Sequence, residues 1–112
     1  MSLEQFRRTR MVVLNVRSTA YQAARAMTDN HIGAVLVTDQ DGLAGIVTDR
    51  DLALAVLGGD LDPKTTRLGD VMSEGVIACE VGAGTEHAVR LMREHGVRRI
   101  PLIEEGQPVG LV

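Results

Sequence analysis

At 112 residues and 45% apolar side chains, the chain has room for one core, or for two half-sized units sharing one. It carries no Trp, one Phe and one Tyr, so the core is aliphatic and stacking platforms for single-stranded nucleic acid are lacking. A net charge of −3 with both signs mixed excludes the basic footprint of a duplex binder, and the lone Cys79 excludes an internal disulfide and a cysteine-rich zinc site. No run approaches a membrane span or the apolar centre of a signal peptide, which predicts a cytoplasmic protein with neither nucleic-acid nor membrane partners.

In chain order, Met1-Ser2-Leu3 reads as a leader of no structural weight and Phe6-Arg7-Arg8-Thr9-Arg10 as a solvated basic tail. Ser18-Thr19 are good helix-capping types, and Ala20, Ala23, Ala24 and Met27 then recur at helical spacing, which predicts an amphipathic helix. Two β-rich runs follow, 34–38 and 43–47, on either side of the turn Asp39-Gln40-Asp41-Gly42. Residues 49–57 read as a second helix, ended by Gly58-Gly59. Its stretch Leu52-Ala53-Leu54-Ala55-Val56-Leu57 is apolar on every face, so it needs cover on more than one side. Burial between the two halves of the chain is expected to provide one side and a partner chain the other, which predicts a homodimer. Residues 60–67 form a linker.

The second half repeats the first. Ala23-Ala24-Arg25-Ala26-Met27 lines up with Ala88-Val89-Arg90-Leu91-Met92 at a shift of 65 positions, and Gly45-Ile46-Val47 with Gly110-Leu111-Val112 at the same shift. A helix starting near Thr85 and β-runs 99–103 and 108–112 are therefore expected. The turn of the first hairpin reads as one residue longer than Glu104-Glu105-Gly106. The Gly82-Ala83-Gly84 stretch imitates a dinucleotide fingerprint, but His87 stands where its third glycine belongs. His31, His87 and His95 have no clustered carboxylate or thiol, so neither a metal site nor a catalytic triad can be argued, and no enzyme is expected.

The junction Gly45-Ile46-Val47-Thr48-Asp49-Arg50-Asp51 has two readings. Thr48 and Asp51 form a capping-box variant, each side chain reaching the other's backbone N–H. The same acceptor-only carboxylate also suits the two hydroxyl donors of a ribose.

His31-Ile32-Gly33-Ala34-Val35-Leu36-Val37-Thr38-Asp39 followed by Gly45 to Leu52, and Asp70-Val71-Met72-Ser73 followed by Val97-Arg98-Arg99-Ile100-Pro101-Leu102-Ile103, resemble the cystathionine-β-synthase (CBS) domain, twice in tandem. The resemblance implies an α/β fold of two βαββα repeats about a pseudo-two-fold: 1–59 with its lead-in, the linker 60–67, and 68–112, incomplete at its end. It implies a regulatory module whose adenosine-nucleotide site joins Thr48, Arg50 and Asp51 to Val76, Ile77, Val97, Arg98, Arg99, Ile100 and Pro101. In it Asp51 would hold the ribose, Thr48, Arg50, Arg98 and Arg99 would attend the phosphate, and Val76, Ile77 and Ile100 would form an apolar slot for adenine. Pro101, which has no N–H, would mark an edge strand as the cleft wall. AMP, ADP, ATP, S-adenosylmethionine or NAD are candidate regulatory ligands, with no cofactor required. The alternative is a ligand-free dimerisation module in which Thr48 and Asp51 only cap a helix. Gln5-Phe6-Arg7-Arg8 lacks the Asp-Val-Met of the second repeat, no Thr/Ser-x-x-Asp follows Val112, and Gly33-Ala34 replace Arg98-Arg99. One working site per chain is therefore expected.

Overall fold

The computed structural model describes Leu3 and residues 11–112. The basic stretch Phe6-Arg7-Arg8-Thr9-Arg10 and the segment Gln5-Phe6-Arg7-Arg8 lie outside the described residues. The first repeat runs β1 (Val13–Asn15), α1 (Ala20–Asn30), β2 (Ala34–Asp39), β3 (Gly42–Thr48) and α2 (Asp49–Leu52), which continues as a π-helical segment over Ala53–Gly58. A 3-10 turn, Leu68–Asp70, leads into β4 (Cys79–Glu80), α3 (Thr85–His95), β5 (Pro101–Glu104) and β6 (Gln107–Leu111). Each repeat builds one three-stranded sheet, β1-β2-β3 and β4-β5-β6, with a parallel first pair and an antiparallel hairpin.

The repeat survives at the level of single hydrogen bonds. Both hairpins carry an irregularity at the same place, between Val37 and Thr38 in one and between Leu102 and Ile103 in the other. The unequal turns expected from the sequence are corrected here: Asp39 pairs with Gly42 and Glu104 with Gln107, so each turn holds two residues and the shift of 65 is unbroken. Aligning the glycines misled, because they do different jobs. Glu105 and Gly106 both have positive φ, the pattern of primed hairpin turns, whereas in the first turn positive φ falls only on Gly42 that follows it. The two turns also dock. Leu43 N–H donates to Gly106 O at 3.1 Å, and a side chain on Gly42 would drive its Cβ to 2.5 Å from that same oxygen.

Helix α1 begins as its sequence requires. Thr19 and Gln22 form a reciprocal capping box, and two more free N–H groups of the first turn, on Ala20 and Tyr21, donate to Thr66 O and Pro63 O of the linker. Its buried side, Ala20, Ala23 and Met27, packs with Val35, Val37, Val47 and Leu52 into the first core. The second core joins Cys79, Val81, Ala88, Ile100 and Leu102. The lead-ins cross over: Leu68, which precedes the second repeat, is fully buried in the first core, and Leu3, which precedes the first, is fully buried in the second. Leu3 is thus no idle leader; it stands at the repeat position of Leu68 and does the same work.

The second helix departs from expectation in its cover. Leu52 is buried and Val56 half-buried in the first core, which also takes in Leu68, Val71 and Met72 of the second half, while Leu54 and Leu57 stand 60% and 83% exposed. Its end is dictated by Gly59, where a Cβ would lie 2.5 Å from Ala55 O.

Candidate functional site

After the 3-10 turn the chain crosses β3 of the first repeat. Ile46 N–H donates to Ser73 O at 3.2 Å and Ser73 N–H to Ile46 O at 3.0 Å. The crossing requires Gly45, since a Cβ there would meet Met72 Sδ at 2.6 Å and Ser73 O at 2.8 Å. Beside it opens a cleft of about 230 Å³, lined by Ile46, residues 73–77, Val97 and Arg99. Its wall therefore comes from both repeats and from the segment joining them. Ile46, Val76, Ile77 and Val97 make it apolar, and Glu74 and Arg99 supply the charge.

Thr48 lies two residues beyond Ile46 on β3, hence on the same face of the sheet, and continues that wall. Its Oγ accepts from Asp51 N–H at 3.1 Å, and Asp51 Oδ2 accepts from Thr48 N–H at 2.9 Å. The capping box is thus complete. It consumes Oδ2 of the half-buried Asp51; Oδ1 accepts no hydrogen bond among the described residues. Two residues earlier, Asp49 N–H donates to Gly33 O, and Asp49 Oδ1 accepts from Arg50 N–H at 2.8 Å. Asp49 Oδ2 and Arg99 Nη2 converge on one point, each 3.2 Å from where a Cβ of Gly33 would stand. The missing side chain of Gly33 lets a cation of the second repeat reach the α2 start of the first.

Of the residues expected from the sequence, the structure gathers Val76, Ile77, Val97 and Arg99 in the cleft, with Thr48 and Asp51 beside its β3 wall. Arg50 and Arg98 are exposed and do not line it. Ile100 and Pro101 are fully buried in the second half of the molecule and offer no surface to the cleft. Pro101 does not mark an edge strand either, because β5 is the middle strand of its sheet. Pairing with β4 begins only at Leu102, and the neighbouring Ile100 exchanges both hydrogen bonds with Val112, so no partner claims an N–H at position 101. Ile46, Ser73, Glu74, Gly75 and Asp49 were not anticipated. The available signals were the two glycines, Gly33 and Gly45, each a place where another group comes close.

A larger open groove of about 500 Å³ lies elsewhere, lined by Asn15, Val16, Arg17 and residues 38–41. It belongs to the first repeat alone and contains none of the expected residues. Cys79 is buried in the second core, and burial pushes its thiol above the ordinary 9.0, with the adjacent Glu80 carboxylate adding to the shift.

Two tandem units of one sheet and hairpin, sharing a cleft, fit the resemblance read from the sequence, and the sequence pattern of the CBS domain matches residues 3–58 and 68–112. The chain belongs to the CBS-domain family. It is a tandem CBS pair of mixed α/β fold. It is 36% identical over 95 residues to Hypoxic response protein 1 of Mycobacterium tuberculosis, covering 84% of this chain and 66% of that protein. It is 32% identical over 104 residues to the CBS domain-containing protein YhcV of Bacillus subtilis, covering 93% and 74%. The chain thus spans about two thirds of the first of these relatives. Among solved structures, that of Hypoxic Response Protein I with two coordinated zinc ions superposes with a TM-score of 0.88 at 30% identity, over 100% of this chain and 92% of that one. A CBS domain protein from Pyrobaculum aerophilum complexed with AMP gives 0.85 at 19% identity over 100% and 86%. A CBS domain pair in complex with 5′-methylthioadenosine and S-adenosyl-L-methionine gives 0.84 at 18% over 100% and 88%; these last two establish the shared fold. Among the described residues, no three His, Cys, Asp or Glu side chains stand together as metal ligands, and no helix is long and apolar enough to cross a membrane.

Proposed function

We propose that this CBS pair is a regulatory module that binds one adenosyl ligand in the cleft between its repeats, and that it acts without catalysing a reaction. The observation that supports the reading is one apolar cleft lined from both repeats, by Ile46 of the first and by Val97 and Arg99 of the second, with the Thr48–Asp51 capping box starting two residues beyond Ile46 on β3. Adenine packs against Ile46, Val76, Ile77 and Val97. The remaining carboxylate oxygen of Asp51 accepts from the ribose hydroxyls, and the fork of Arg99 meets a phosphate. At about 230 Å³ the cleft is smaller than the ~300–1,000 Å³ of drug-sized pockets, so it takes a nucleoside and leaves the 5′ substituent at its mouth. The AMP and S-adenosyl-L-methionine complexes of structural neighbours support this ligand class.

Calorimetry with adenosine, AMP, ADP, ATP, NAD and S-adenosylmethionine tests it. One ligand per chain is expected, with about 2.7 kcal/mol of stabilisation at a hundredfold excess over Kd. Asp51→Asn keeps an oxygen to accept from Thr48 N–H and so keeps the cap, but it removes the ribose-binding charge. It is expected to bind at least tenfold more weakly at nearly unchanged stability, whereas Asp51→Ala also loses the cap, worth about 1 kcal/mol. Absence of binding by every ligand refutes the reading and leaves the ligand-free interaction module, which the completed capping box favours. Both readings include a homodimer, in the cytoplasm, joined through the face that leaves Leu54 and Leu57 exposed.

A further inference from the structure

We propose that the cleft selects adenosyl ligands whose 5′ arm carries a cation beside its anion, a sulfonium or ammonium with a carboxylate, over 5′-phosphates, and that Glu74 sets this choice; the inference rests on the adenosyl reading above. The lining divides by exposure. Ile46, Val76, Ile77 and Val97 are half-buried and form an apolar floor, whereas Glu74 and Arg99 are exposed and stand at the mouth. A nucleoside on that floor leaves its 5′ arm between one carboxylate and one guanidinium. Among the described residues these are the only charges of the lining, and they sum to zero. Neither is taken up by an ion pair or a side-chain hydrogen bond among the described residues, so both are available to a ligand.

The backbone that carries Glu74 is fixed at the rim. Ser73 before it exchanges two hydrogen bonds with Ile46, and Gly75 after it turns the chain at a φ of 64° that suits glycine. A 5′-phosphate brings about 1.5–2 negative charges to this mouth. Arg99 attracts them and Glu74 repels them, so the mouth offers a phosphate little net gain. An amino-acid arm uses both groups: its carboxylate meets the Arg99 fork, and its sulfonium or ammonium faces Glu74. Arg50 and Arg98 are exposed and off the cleft, so solvent and salt screen what they add to a phosphate.

The test is calorimetry of S-adenosylmethionine, S-adenosylhomocysteine, adenosine, AMP and ATP at about 0.15 M salt on the parent chain, Glu74→Gln and Asp41→Asn. The exposed Asp41 lies off the cleft and controls for net charge alone, and unfolding midpoints verify that each variant folds. The parent is expected to bind S-adenosylmethionine more tightly than AMP or ATP, and more tightly than S-adenosylhomocysteine, which lacks the sulfonium charge. Glu74→Gln is expected to lower the ratio of S-adenosylmethionine to AMP affinity about tenfold, the scale of one charge-assisted contact, and to leave adenosine unchanged. Asp41→Asn is expected to keep the parent's ratio. AMP binding as tightly as S-adenosylmethionine in the parent, an unchanged ratio in Glu74→Gln, or an equal fall in Asp41→Asn overturns the role of Glu74 while the adenosyl reading stands. The comparison of S-adenosylmethionine with S-adenosylhomocysteine needs no variant, and equal affinity for the two overturns the preference for a cationic arm by itself. No binding of any of the five ligands to any chain removes the adenosyl reading and this inference with it.

Discussion

Replacing Gly45 by alanine adds one methyl group at the point where the two repeats are joined. That methyl would stand 2.6 Å from Met72 Sδ, 2.8 Å from Ser73 O and 2.9 Å from Met72 Cγ. The thioether can turn aside, but the carbonyl belongs to the backbone that exchanges two hydrogen bonds with Ile46, so relief requires the crossing segment to lift off β3. Overpacking of this kind costs about 1–3 kcal/mol, and two weakened hydrogen bonds add about 1 kcal/mol each, so Gly45→Ala is expected to destabilise by about 2–4 kcal/mol. Gly58→Ala is the matched control. It makes the same chemical change in a helical segment where a Cβ meets nothing within 4 Å, and it is expected to stabilise by about 0.5–1 kcal/mol through the unfolded state. Urea unfolding of the two variants and the parent at one pH measures both. Because residues 73–77 line the cleft, Gly45→Ala should also weaken adenosyl binding, while Gly58→Ala should not. If the two substitutions fall within 0.5 kcal/mol of each other, the crossing is not packed as described.

Leu68→Ala and Leu3→Ala should each cost about 2–5 kcal/mol, as deletions from fully buried sites in opposite cores; a cost below 1 kcal/mol for Leu3→Ala in urea unfolding would refute the exchange of lead-ins. Leu57→Lys should still fold yet yield a monomer in sedimentation, whereas Leu52→Lys, at a buried site, should fail to fold. If Leu57→Lys remains a dimer, the exposed face is not the interface. Cys79 should resist alkylation until the chain unfolds. Its raised folded pKa means the unfolded thiol ionises first, so the thiol's contribution is intact below about pH 9 and is lost as pH rises through the folded value; Cys79→Ala should lack that loss in urea unfolding.

The fold was legible in the sequence where local pattern and repeat agree. Ser18-Thr19 followed by alanines at helical spacing became the capped helix α1, and the aliphatic runs about each turn became hairpins. What local pattern could not show was where the lead-ins go. Leu3 and Leu68 carry one apolar side chain each in polar surroundings, and only the shift of 65, followed back to the third residue, puts them in register. The all-apolar segment 52–57 misled in the other direction. Its composition calls for cover on every side, but a helix start so close to β3 can turn only one side to its own core, and Leu54 and Leu57 are left outside.

The site divides in the same way. Val76, Ile77, Val97 and Arg99, which line the cleft, were legible because they occupy fixed places in a repeated motif, whereas Ile100 and Pro101 were drawn in by adjacency and went to the core instead. Ile46, Ser73, Glu74, Gly75 and Asp49 depend on a crossing between distant segments, which has no periodicity to read. Yet each crossing left a trace as a missing side chain. Gly45 sits in a strand interior, where glycine weakens the strand unless another backbone comes close, and Gly33 sits where its repeat partner is Arg98. These two glycines have negative φ, so conformational freedom does not explain them; what they provide is space, at Gly45 for the chain that joins the repeats and at Gly33 for the guanidinium of Arg99. The asymmetry between the repeats lies one residue further on. At the shift of 65 the partner of the cleft cation Arg99 is Ala34, buried in β2, so the arrangement that gives one cleft its cation has no equivalent cation in the other.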